Sequence, residues 1–137
     1  MLIHPIDRVS ISGSSFDFEI RMIASNSQAL RRIKILHTVV WALFVACILG
    51  IPIASWRGRY GLAAGLAAIV SGEVFVLLAN KWRCPMTRVA ARYTDDRRDN
   101  FDIYLPEWIA RNNKMIFGAL YVAGVAYAAL RWIHRAH

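Results

Sequence analysis

The sequence predicts an all-α membrane protein with three transmembrane helices. Three observations carry that prediction. The chain has 137 residues and is 57% hydrophobic, against about 45–50% in an average soluble domain. The excess is gathered in three runs, about 35–55, 61–79 and 115–132. Each is near the ~20 apolar residues needed to cross ~30 Å of hydrocarbon. Four of the five tryptophans (Trp56, Trp82, Trp108 and Trp132) fall at the ends of these runs, where aromatic belts form.

The net charge of +8 invites a nucleic-acid reading. The basic residues flank the apolar runs, however, and there they serve as topology determinants and lipid-headgroup contacts. The expected partner is the lipid bilayer, and no nucleic acid.

Residues 1–30 read as an N-terminal tail, disordered or forming a weak hairpin, before a single helical domain over 31–137. Val9, Ile11, Phe16, Phe18 and Ile20 alternate loosely, broken by Ser12-Gly13-Ser14-Ser15. The stretch lacks the continuous apolar core of a cleavable signal. Met22 offers an alternative start. Ser25-Asn26-Ser27 supplies helix N-cap candidates, and Arg31, Arg32 and Lys34 form a basic collar. The first span, 35–55, carries Pro52 near its far end, where a membrane helix tolerates it. Trp56, Arg57, Arg59 and Tyr60 make a short connection.

The second span, 61–79, has Glu73 as its one formal charge. Gly61, Gly65, Ala68 and Gly72 form a small-residue stripe of the kind that lets helices approach closely in lipid. Residues 84–114 form the main polar segment, predicted to hold short interfacial helices. Pro85 suits a first helical turn; Val89, Ala90 and Tyr93 with Arg88 and Arg92 suit an amphipathic helix lying on the surface. A second interfacial element is expected over Phe101 to Ile109, interrupted by Asp102, Glu107 and Arg111. The third span, 115–132, has small positions at Gly118, Ala123 and Gly124. Gly61, Gly65, Gly118 and Gly124 are the faces through which a homo-oligomer or membrane-protein partner would pack.

Orientation follows from Lys and Arg. Arg21, Arg31, Arg32 and Lys34 precede the first span, and eight more lie between Lys81 and Lys114. Three spans put both groups on one side, opposite Arg57, Arg59, Arg131 and Arg135. The positive-inside rule then predicts a cytoplasmic N-terminus and a C-terminus on the other side.

Chemistry is sought where polar groups meet apolar spans. A charged carboxylate at a helix centre in a bilayer costs about 2.5–3.5 kcal/mol or more. Glu73 is expected roughly 9 Å inside the end of its helix, and His37 roughly 3 Å inside on the same side. Cys84 and Thr87 begin the polar segment just beyond. His37, Glu73, Cys84 and Thr87 are therefore expected to converge on one polar pocket, with His37 facing Glu73. A plainer role leaves Glu73 protonated, or bonded to His37 or Tyr121 to hold the bundle. His37, Glu73 and Cys84 are ligand types a metal accepts, but without tight motif spacing they make a weak metal set. No cofactor is specified: no two histidines share a depth suited to haem, and there is no Cys-x-x-Cys-His motif. Cys47 and Cys84 fall at different depths, against a disulfide.

His37, Glu73, Cys84-Pro85-Met86-Thr87 and Phe101-Asp102-Ile103-Tyr104-Leu105, in that order, resemble a family of small bacterial membrane proteins classed as a domain of unknown function. That family carries His in its first span, Glu late in its second, then Cys-Pro-Leu-Thr and an aromatic Tyr-Leu stretch. The resemblance covers roughly 33–133. Met86 replaces the family's Leu, and Ala90 stands where the family tends to have an acid. It implies a multi-pass protein of the bacterial inner (plasma) membrane, and no activity. The function expected is an accessory or binding component with a buried polar site on the cytoplasmic side. The competing expectation is a membrane redox or metal- or cofactor-binding enzyme component using His37, Glu73 and Cys84.

Overall fold

The structure, a computed structural model, describes residues 13–136. Its elements are α1 (Gly13–Trp56), α2 (Tyr60–Ala79), α3 (Pro85–Ala90) and α4 (Glu107–Ala136). The described residues contain no strand. α1, α2 and α4 are each long and apolar enough to cross a membrane.

α1 is about 66 Å long at 1.5 Å per residue. The tail expected over residues 1–30 is helical from Gly13 onward; the rest of it lies outside the described residues. No Gly or Pro interrupts the chain between Ser14 and Leu49, so a helix nucleated in the apolar run extends backwards without a second nucleation step. Ser27, expected near a cap, sits inside the helix and bonds back to the Ala24 carbonyl at 2.8 Å.

α1 is the central pillar. α2 and α4 both pack along it and meet each other less. The core runs in two patches: Cys47, Ile48 and Val70 against Phe44, Leu66 and Phe117, then Ile51, Ala54 and Ala63 against Ala67, Val125 and Ala128. Tyr121 ties α4 to α2, bonding Ser71 Oγ at 2.8 Å and donating to the Ala67 carbonyl at 3.1 Å. Pro52 has no N–H to offer the Ile48 carbonyl. There α4 comes closest: a Cβ on Gly124 would stand 3.4 Å from Pro52 Cδ and 3.8 Å from Ile48 O.

The α2 stripe does not pack inside the chain. A Cβ at Gly61, Gly65 or Gly72 would meet nothing within 4 Å, and the same holds for Gly118. Those faces point outward because α1 contacts α2 through Ala63, Leu66 and Val70 instead. Of the four glycines expected to mediate packing with a partner, Gly124 alone is engaged within the chain.

α2 ends in a left-handed turn. Lys81 and Trp82 have φ of 55° and 61°, and Trp82 N–H donates to the Leu77 carbonyl at 2.7 Å, closing the helix end. The Lys114 ammonium of α4 donates to the Trp82 carbonyl. The turn delivers Cys84 to the start of α3, where Pro85 takes the first helical position. Fully buried Ala90 sits at the end of α3, which packs against α1.

The second interfacial helix expected over 101–109 does not form as a separate element. Residues 101–106 are turns, and Glu107 begins α4 directly, ahead of the expected start at 115. Pro106 precedes the first turn, Glu107 complements the helix dipole there, and Arg111 bridges Glu107 at 2.8 Å and Asp99 at 2.7 Å. These polar residues sit in the opening turns, so they extend the helix without entering its apolar stretch.

Candidate functional site

The site is assembled by the turns between α3 and α4, which fold back onto α1. Phe101, Asp102 and Ile103 are all buried. An acid between two apolar neighbours is drawn in with them and must find partners. Asp102 finds three. Its Oδ2 lies 3.1 Å from His37 Nδ1, it accepts a hydrogen bond from Thr87 Oγ1, and its backbone carbonyl lies 3.2 Å from the same Nδ1. Both Asp102 atoms are acceptors, so the His37 Nδ1 carries a hydrogen directed at them, and Nε2 is the ring's remaining position. One residue along α1, Thr38 Oγ1 donates to the Lys34 carbonyl at 2.7 Å and accepts the Tyr104 N–H at 3.0 Å. Lys34 Nζ stands 5.4 Å from the centre of the Tyr104 ring. Successive residues of α1 thus clamp successive residues of the loop.

The half-buried Cys84 thiol interacts with the His37 imidazole. Burial pushes this thiol up, but the His37 hydrogen bond and the amides of Met86 and Thr87 outweigh it and leave it below the ordinary thiol value. Asp102 follows the same pattern. Burial raises it, while the hydrogen bonds from His37 and Thr87 bring it below the usual carboxylate range.

Of the four residues expected to converge, the structure brings together His37, Cys84 and Thr87. Glu73 is not with them. It is half-buried on α2 and makes no hydrogen bond or ion pair among the described residues. Neither of its expected partners turns to it: His37 faces Asp102, and Tyr121 is committed to Ser71 and Ala67. The acid of the cluster is Asp102, which sequence reasoning treated as a mere interruption. The available signal was its place in Phe101-Asp102-Ile103, an acid inside an otherwise apolar run.

Among the described residues, no group of three His, Cys, Asp or Glu side chains is placed to hold a metal ion. A ligand set aims its lone pairs at a common centre; here His37 Nδ1 and Asp102 Oδ2 are directed at each other. Cys47 and Cys84 are both free thiols, and Cys47 is buried in the α1 core.

The constellation is an imidazole held through Nδ1 by a buried carboxylate, itself held by a hydroxyl, with a half-buried thiol electrostatically coupled to the same residue. Such an arrangement supports attack by a thiolate on an electrophilic carbon or sulfur. Neither a protein-family model, nor a curated protein, nor a solved structure matches this chain.

Proposed function

We propose that this is a small multi-pass protein of the bacterial inner membrane, and that it acts through Cys84 as a nucleophilic thiol at the cytoplasmic surface. The membrane assignment is supported by the outer faces of the three long helices. Phe75, Val122 and Met115 are among many large apolar side chains left open, more than a soluble surface carries. The cytoplasmic placement rests on the excess of Lys and Arg at the Cys84 end. The resemblance to the Cys-Pro-Leu-Thr family agrees with this reading and rests on the quoted motifs alone.

The observation that carries the chemistry is His37 held through Nδ1 by Asp102, together with the electrostatic coupling of His37 to the half-buried Cys84 thiol. In nucleophilic acyl transfer Cys84 attacks as the thiolate, its proton held on His37, and sulfur bonds to the carbonyl carbon. The leaving group departs with that proton, and the product is a thioester on Cys84. Asp102 keeps the ring in one tautomer and orientation, and Thr87 keeps Asp102 in place.

A second reading has one specific observation behind it. Asp102 bonds His37 through its backbone as well as its side chain, and Thr38 bonds Tyr104 beside it. That is how a purely structural clamp would be built, and it suits the accessory or binding role.

Alkylation kinetics separate the two. In a Cys47→Ala background, the pH profile of iodoacetamide labelling at Cys84 should lie below the ordinary thiol pKa of ~8.5. His37→Gln and Asp102→Asn should move that profile upward. A profile centred on the ordinary value and unmoved by either substitution leaves only the clamp.

A further inference from the structure

At the opposite end of the bundle, the α1–α2 connection and the end of α4 enclose an open cavity of about 420 Å³. Its polar lining is Arg57, Arg131, His134 and Arg135, with Trp56 and Tyr60 at its walls. The segments that build it, 56–60 and 131–136, contain no Asp or Glu. Two of the guanidiniums are aimed by neutral groups. Arg131 donates to the Trp56 carbonyl at 3.3 Å, and Arg135 to the Gly58 carbonyl at 3.5 Å. Arg135 also lies 5.7 Å from the centre of the Tyr60 ring. Gly58 takes the left-handed backbone of this turn and leaves room for Arg135. Its φ is +71°, and a Cβ there would fall 2.8 Å from an Arg135 nitrogen. Each guanidinium has five N–H donors, more than the single carbonyl bond that Arg131 and Arg135 each make.

A second cavity, about 210 Å³ and almost wholly apolar, lies in the seam between the same two helices. Leu49 and Pro52 form one wall, Leu120, Ala123 and Tyr127 the other. Pro52 is one helical turn, roughly 6 Å, from Trp56, so the two cavities follow one another along the α1–α4 seam. The positive-inside rule leaves few basic residues on this side, which makes a paired-up arginine cradle here more than a topology determinant.

We propose that this end of the α1–α4 seam binds one anionic phospholipid, its phosphate in the Arg57, Arg131 and Arg135 cradle and one acyl chain in the apolar groove. Arginine suits phosphate because its planar fork donates two parallel hydrogen bonds. Trp56 and Tyr60 suit the glycerol and headgroup depth. The groove is what distinguishes a lipid from a free phosphate, since it would be idle with the latter. The proposal rests on the membrane-span reading and is independent of Cys84.

The test uses the full chain, delipidated in detergent, with equimolar phosphatidylglycerol and phosphatidylcholine, and native mass spectrometry to count retained lipid. One phosphatidylglycerol per chain is expected, preferred about tenfold. Arg131→Gln with Arg135→Gln should abolish the preference, and Arg57→Gln, whose side chain makes no hydrogen bond within the described residues, should weaken it without disturbing the fold. Leu120→Trp should weaken retention by filling the groove. Equal retention of the two lipids overturns the proposal, as does an unchanged preference in the arginine variants. Displacement of the lipid by millimolar inorganic phosphate also overturns it, since the site would then read the anion alone. Whether the protein stays with the membrane in alkaline carbonate tests the spans separately; loss of preference with membrane retention intact sinks the lipid site and leaves the membrane reading standing.

Discussion

At the scale of single residues, the protein contains two acids in apolar surroundings with opposite circumstances. Asp102 is 4% exposed and fully partnered, whereas Glu73 has no polar partner among the described residues. Removing a buried charge's partner is costly, while neutralising an unpartnered charge in an apolar helix is not. Asp102→Asn should therefore lose roughly 1–3 kcal/mol in thermal unfolding in detergent, and Glu73→Gln should unfold at the same or a higher temperature. The reverse order would make Glu73 the acid that matters. Thr87→Val should fall between, losing about 1 kcal/mol, with slower alkylation of Cys84 as the accompanying sign that Asp102 has loosened. Residue type and depth along a helix are written in the chain, and they singled out His37 and Glu73, with Cys84 and Thr87 named by their place just past the second span. The structure sets Asp102, and not Glu73, beside His37; a carboxylate in a helical span has a readable depth, while a residue of a folded-back turn has none until the turn folds back.

At the scale of elements, the legible features were those that follow from period and length. Three apolar runs are three helices, each long and apolar enough to cross a membrane. What could not be read was where helices stop beyond the apolar stretch, since a nucleated helix gains one bond for each residue it adds and can run on through polar residues. That is why α1 reaches back to Gly13 and α4 to Glu107. The use of the helix faces was illegible for a related reason. A small residue marks either a close contact or a face left free for one, and composition does not separate them. The structure does, and it makes a paired prediction. Gly124→Leu must push α4 away from Pro52 and should cost about 1–3 kcal/mol by overpacking. Gly65→Leu meets open space and should be tolerated by the isolated chain. Thermal unfolding of both variants in dilute detergent checks this. Damage confined to Gly65→Leu would show that the α2 stripe is covered by another helix even there.

At the scale of the whole molecule, the bundle is closed at two ends by different means. The Gly58 end is held by arginines on backbone carbonyls. The Cys84 end is held by a carboxylate, Asp102. Because its folded-state value is depressed, its contribution to stability is fully present above the unfolded carboxylate value of ~3.9. That contribution is lost as pH falls through the lower folded value. Asp96, brought down to about 2 by Arg98, is exposed on the loop and does not tie that loop to α1. The global melting temperature in detergent should therefore hold steady from neutral pH to about 4 and then decline. Asp102→Asn should start lower and lose most of that decline, because it has no carboxylate left to protonate. The acid-sensitive step is release of residues 101–105 from α1, so hydrogen exchange should rise first at the Tyr104 amide, which bonds Thr38, while the α1–α4 seam near Gly124 stays protected. Uniform loss of protection along all helices at the same pH would mean that the clamp and the bundle unfold as one unit. Asp102 would then be a support of the whole fold, with no separate role in holding the site closed.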